Sequence, residues 1–82
     1  MREKLISRLE HLHTTDLGRQ RIQKNLSLDV DDVVAWCKEK IEKPNSQITK
    51  KGKNWYIEVD GCRMTINAHS DTIITAHKIK AY

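Results

Sequence analysis

Asn54-Trp55-Tyr56-Ile57-Glu58-Val59-Asp60-Gly61-Cys62-Arg63-Met64-Thr65-Ile66-Asn67 decides the fold of this chain. Apolar and polar residues alternate on both sides of Asp60-Gly61. A period of two marks a strand with one buried face. An Asp-Gly pair between two such runs favours a type I′ turn, whose central residues both take positive φ. So short a turn also sets the register. Val59 then faces Cys62, Ile57 faces Met64 and Trp55 faces Ile66 on one side. Glu58 faces Arg63, Tyr56 faces Thr65 and Asn54 faces Asn67 on the other. The first side must be covered, and the second is polar and chemically varied.

Downstream, Ala68-His69-Ser70-Asp71 reads as a turn and Thr72 to Lys80 as a last strand. Two registers compete there. A loop ending at Asp71 sends Ile73, Thr75, His77 and Ile79 into the core. A loop one residue longer sends Ile74 and Ala76 inward and sets Thr75 and His77 beside Arg63, Thr65 and Tyr56. Burying Thr75 and His77 without partners is costly, so the second register is expected. Upstream, Gln47 to Lys51 is a short polar strand, and Gly52-Lys53 is a turn. The result is an antiparallel meander of three to four strands.

The period changes to a helical one before Pro44. Leu5, Ile6, Leu9 and Leu12 predict a helix over Arg2 to Leu12. Thr14 or Thr15 is placed to cap a second helix, Asp16 to Leu26, with Gly18, Ile22 and Leu26 on its inner side and Leu17 adjoining. Ser27 or Asp29 is placed to cap a third, with Asp31 and Asp32 in its first turn. Val33, Val34, Cys37 and Ile41 form its apolar stripe, with Trp36 at the edge. The expected fold is α+β, with three N-terminal helices packed on one face of the C-terminal meander. Residues 1–82 make one domain, helical over 1–44 and sheet over 45–82.

With 82 residues there is room for one small core and no more. A hydrophobic share of 38% and a charged share of 32% suit a folded soluble chain. No apolar run is long enough to cross a membrane, and Met1-Arg2-Glu3-Lys4 opens an amphipathic pattern rather than a signal peptide. A cytoplasmic location in a bacterium-like cell is expected, with no membrane partner. Cys37 and Cys62 read as reduced, small core residues. His11, His13, His69 and His77 with the two cysteines match no compact zinc spacing. Neither a metal site nor a cofactor is expected. A formal net charge of +4 fits a polyanionic partner. A helix-turn-helix is opposed by the acidic start Asp29-Val30-Asp31-Asp32 of the third helix.

The polar face is where chemistry would gather. Metal-independent RNA cleavage needs a base for the 2′-hydroxyl, an acid for the leaving oxygen and a cation for the phosphorane. His77 can act as acid or base near neutral pH, and Glu58 is a second candidate base. Arg63, Lys51, Lys53 and Lys78 are candidate phosphate ligands, with Arg21 assisting from the second helix. Tyr56 could stack a base, and Thr75 could position a substrate. Glu58 and Arg63 are equally an ordinary cross-strand ion pair. The rival expectation is a non-catalytic regulatory or inhibitor protein. It would bind a protein or nucleic-acid partner through the same face or an edge strand.

Leu12-His13-Thr14-Thr15-Asp16-Leu17-Gly18 and Asp31-Asp32-Val33-Val34, with Trp36-Cys37, resemble a small bacterial domain-of-unknown-function family, DUF3781. Gly52-Lys53-Asn54-Trp55-Tyr56 and Thr72 through Lys78 are similar to it too. A looser likeness joins the tryptophan strand, the hairpin and the closing Ile74-Thr75-Ala76-His77-Lys78. That order resembles the barnase, EndoU, colicin and RelE group of nuclease folds. The resemblance implies catalytic groups on the exposed sheet face, an RNA substrate and a toxin-like role, with an antitoxin as protein partner, whereas the regulatory alternative implies a regulated enzyme as partner. Thr75 and His77 match its polar last-strand positions, and Arg63 or Lys53 its basic ones.

Overall fold

The computed structural model describes residues 2–79. Three helices, α1 (Arg2–Ile6), α2 (Asp16–Leu26) and α3 (Val33–Glu42), precede four strands. These are β1 (Gln47–Lys51), β2 (Asn54–Val59), β3 (Cys62–Asn67) and β4 (Thr72–Lys78). The strands form one antiparallel sheet in the order β1-β2-β3-β4, and the helices cover one of its faces. No helix among the described residues is long and apolar enough to cross a membrane.

The central hairpin forms as its alternation requires. Asp60 and Gly61 have φ of 50° and 74°, the type I′ signature, and all six expected pairs are present. Trp55, Ile57, Val59, Met64 and Ile66 are buried beneath the helices. The turn is also tied to the end of α3. Asp60 accepts hydrogen bonds from Lys40 Nζ at 2.9 Å, Lys43 Nζ at 2.6 Å and Asn45 Nδ2 at 3.1 Å.

The last strand satisfies neither simple register. Thr65 pairs with Thr75, but Ile66 pairs with Ile73, so Ile74 is an extra residue in a β-bulge. Ile73 and Ala76 are both buried, whereas Ile74 is 37% exposed. The expectation that Ile74 enters the core is therefore corrected. The bulge lets Ile73 fill the core on one side of the irregularity and Ala76 on the other. It still leaves Thr75 and His77 on the polar face. The strand ends at Lys78, and Lys80, its expected last residue, lies outside the described residues.

The helical half departs from expectation at two places. The first helix is not continuous to Leu12. It ends at Ile6, and a 3₁₀ turn over Leu9–His11 follows. The Arg8 guanidinium is drawn aside to Asp71, with Nε 3.0 Å from Oδ1, and the chain turns there. Leu5, Leu9 and Leu12 remain buried through the change of period. The third helix starts later than its first candidate caps. Ser27, at φ 52°, closes α2 instead, and Asp32 caps α3 by accepting from Ala35 N at 3.0 Å. Thr15 caps α2, accepting from Gly18 N at 3.0 Å. Leu17 faces outward at 65% exposure.

Cys37 is buried and Cys62 half-buried, both as free thiols. Burial, reinforced by nearby Cys62, pushes the Cys37 thiol up to about 12. Every buried side-chain nitrogen or oxygen among the described residues has a hydrogen-bond partner.

Two carboxylates link this architecture to pH. Hydrogen bonds from Lys43, Lys40 and Asn45 hold the Asp60 carboxyl well below its usual range. The hydrogen bond from Arg8 lowers the pKa of the Asp71 carboxyl as well. Each pKa is lower folded than unfolded, so each contribution is complete above the unfolded value and is lost as pH falls through the folded one. Urea midpoints should hold between about pH 7 and 5 and decline below about pH 4. Asp60→Asn, which tolerates the left-handed backbone, should make that decline shallower. An unaltered acid limb in the variant would remove the turn from this account.

Candidate functional site

The pleat sends Gln47, Thr49 and Lys51 of β1 to the face away from the helices. The partner strands add Tyr56 and Glu58 from β2, Arg63 and Thr65 from β3, and Thr75 and His77 from β4. Glu58 pairs with Arg63 and Arg63 with His77, so these three form one row across three strands. Thr49, Tyr56, Thr65 and Thr75 form the next row.

Pairing geometry places the members of each row at different distances. The residues flanking a two-residue hairpin turn form a hydrogen-bonded pair, so Glu58–Arg63 and Tyr56–Thr65 are the non-hydrogen-bonded pairs of β2 and β3. Their Cα atoms stand about 4.5 Å apart, the closer of the two spacings. Arg63–His77 is of the wider kind, about 5.5 Å. The backbones of Glu58 and His77 are thus about 10 Å apart, with Arg63 between them.

Glu58 and Arg63 are joined by Nε···Oε2 at 3.0 Å and Nη2···Oε2 at 2.5 Å. Both bonds end on Oε2. Glu58 Oε1 and Arg63 Nη1 have no hydrogen-bond partner among the described residues. The pair is therefore not closed on itself. His77 Nδ1 lies 3.3 Å from Lys78 O, a geometry that lets Nδ1–H donate and turns Nε2 to the free side. Gln47, Thr49, Lys51, Tyr56, Glu58 and Arg63 line an open hollow of about 360 Å³. Asn54 Nδ2 donates to Tyr56 Oη at 3.4 Å, bracing the phenol at the edge of the face.

The remaining candidates fall elsewhere. Lys78 pairs with Cys62, and so shares its face, opposite the row. Lys53 is exposed at the β1–β2 turn, and Arg21 is exposed on α2 in the helical layer. Thr75 and His77 adjoin Thr65 and Arg63 rather than the hollow. Among the described residues, no three of His, Cys, Asp and Glu gather as a metal-holding group. His13 proves to be an architectural residue. It extends the sheet beside Thr72, and its Nε2 lies 3.0 Å from Thr72 Oγ1. No local sequence signal announced this, because the partner is distant in the chain.

None of the curated proteins and none of the solved structures matches the chain, so no structural relative supports the likeness to the nuclease folds. A family model does match, described as protein of unknown function (DUF3781), and it spans residues 6–77. The match takes in α2, α3 and the sheet through His77. The chain belongs to the DUF3781 family.

Proposed function

We propose that this protein is a small RNA-targeting domain that cleaves RNA from its open sheet face, using side chains rather than a metal for the proton transfers. The observation that carries the reading is the row Glu58–Arg63–His77, with the cation in the middle. A phosphodiester seated over Arg63 has Glu58 on one side and His77 on the other. Glu58 Oε1 takes the 2′-hydroxyl proton, and the 2′-oxygen attacks phosphorus. Arg63 stabilises the charge gathering on the non-bridging oxygens. His77, as imidazolium, gives a proton from Nε2 to the departing 5′-oxygen as the P–O5′ bond breaks. The products are a 2′,3′-cyclic phosphate and a free 5′-hydroxyl. Tyr56 in the hollow offers a ring for base stacking, and Lys51 a second phosphate contact. Thr75 positions the ribose. A toxin-like role in a bacterial cytoplasm follows from the same reading.

The test is cleavage of end-labelled single-stranded RNA by purified protein, with the ends of the products identified. Wild type should yield cyclic phosphate ends in the presence of EDTA. His77→Ala should reduce the rate by about 10²–10⁴-fold, the usual contribution of a positioned acid or base. Intact RNA with wild-type protein across pH and salt would defeat the catalytic reading in favour of a non-catalytic binding or regulatory protein.

A further inference from the structure

The two edges of the sheet are treated differently. The outer side of β4 is covered by the helical half. His13 N donates to Asp71 O at 3.1 Å, and Ile73 N donates to His13 O at 2.7 Å. Thr14 Oγ1 donates to Ile73 O at 2.8 Å, and Asn25 Nδ2 to Ala76 O at 3.3 Å. Backbone and side chains together block strand addition there.

The outer side of β1 has no such cover. Its turn, Gly52-Lys53, opens with φ +60° at Gly52, and Lys51–Asn54 is the pair that flanks it. That pair is hydrogen-bonded, as are Thr49–Tyr56 and Gln47–Glu58, by the alternation of an antiparallel ladder. The N–H and C=O groups of Ile48 and Lys50 therefore point away from the sheet. Neither residue has a hydrogen-bond partner on that side among the described residues.

A hollow lies on each face beside this edge. On the polar face, Lys51 borders the hollow that also holds Gln47, Thr49 and the Glu58–Arg63 ion pair, so Lys51 is its unpaired charge beside the edge among the described residues. On the helical face, Lys4, Arg8, Lys50 and His69 surround a second one of about 200 Å³, floored by Trp55 and Ala68. Lys50, Lys51 and Lys53 have no carboxylate partner among the described residues. In an added strand, successive side chains alternate between the two faces. A segment paired with β1 would send one set toward Lys51 and the other toward Lys4 and Lys50. Both sets meet positive charge.

We infer that β1 is a docking edge for an extended acidic segment of a partner protein, which adds as a fifth strand. A second copy of this chain is disfavoured, because β1 carries two lysines and no carboxylate, so two copies would bring positive charge to the seam with nothing to offset it. This edge adjoins the Glu58–Arg63–His77 row and shares Lys51 and the hollow with it, but its outward backbone groups at Ile48 and Lys50 stand whether or not the row cleaves RNA. If it does, an occupant of the edge would also overhang the hollow at Tyr56.

The probe is a short synthetic peptide of paired glutamates and paired valines, which presents glutamate to both faces of the sheet, titrated into isotope-labelled full-length protein. Amide exchange at Ile48 and Lys50 should slow at least about tenfold on binding, as expected when an exposed N–H joins a ladder. The same peptide N-methylated on alternate amides keeps its charge but cannot pair, and should not bind. Lys50→Pro removes one outward N–H and should weaken binding about tenfold, with the remaining amide spectrum showing whether the fold persists. Lys50→Glu with Lys51→Glu, which keeps the backbone donors, should reverse the preference toward a lysine-valine peptide. Equal binding of the N-methylated peptide would overturn the inference. So would protection confined to the Arg63–His77 face, or a uridine-rich oligonucleotide protecting Ile48 and Lys50 where the peptide does not.

Discussion

Arg63→Gln is expected to lower RNA cleavage by about 10²–10³-fold, the cost of removing one preorganised donor to a developing anion. The fold should survive the change. The side chains of Arg63 and Glu58 are 44% and 40% exposed, so their ion pair is worth at most about 1 kcal/mol to stability. An activity loss far larger than the stability loss separates a phosphate ligand from an ordinary cross-strand pair. Arg63→Lys sharpens the contrast. It keeps the charge but loses the planar fork that can hold Glu58 and a phosphate at once. Its rate should fall between those of wild type and Arg63→Gln. Single-turnover rates on one defined RNA, beside urea midpoints, make the measurement. Wild-type rates in Arg63→Gln would leave the row with a structural role only.

Gly18→Val should destabilise the fold by about 3 kcal/mol or more. A Cβ at Gly18 would collide with Thr14 Oγ1, and it would lie 3.2 Å from Thr15 Oγ1 and 3.4 Å from Ile73 O. Neither threonine is free to move. Thr14 Oγ1 donates to Ile73 O, and Thr15 Oγ1 accepts from Gly18 N. Gly18→Ala gains about 1 kcal/mol of helix propensity, yet the same overlap should leave it destabilised by about 1–2 kcal/mol. The whole domain has only about 4–12 kcal/mol to lose. Thr14→Ala removes the colliding oxygen at the cost of one hydrogen bond. The double variant Thr14→Ala/Gly18→Ala should thus be more stable than the sum of the singles predicts. Additive effects in a urea-denaturation cycle would refute a steric conflict at this seam.

Both expectations concern β4, where the sequence was least legible. The row needs His77 outward, and the seam needs Ile73 where α2 can reach its carbonyl. Strict alternation allows one parity along the strand, and either choice misplaces a residue. The bulge at Ile74 changes parity partway, so Ile73 and Ala76 both turn inward while His77 stays beside Arg63. Among the basic candidates, the face of Lys51 came from the β1–β2 register, whereas Arg63 was legible because hairpin pairing assigns its face. Lys78 was not, since its face depends on the β3–β4 register. Arg21 and Lys53 bear charge but stand apart from the row, and charge in a sequence carries no direction.

Short-range chemistry alone determined the hairpin around Asp60-Gly61, the Glu58–Arg63 pairing and the buried Gly18, Ile22, Leu26 stripe of α2. Each depends on neighbours within one turn or one hairpin, whose geometry follows from backbone sterics and side-chain period. Tertiary structure decided the break after Ile6, the shifted parity of β4 and the covering of its edge. Those features rest on Arg8 with Asp71, Thr14 with Ile73, and Asn25 with Ala76. Such pairs are far apart in the chain, and no local period records them. Only when the packed helices fill the core does a bulged strand cost less than a regular one with a polar residue buried.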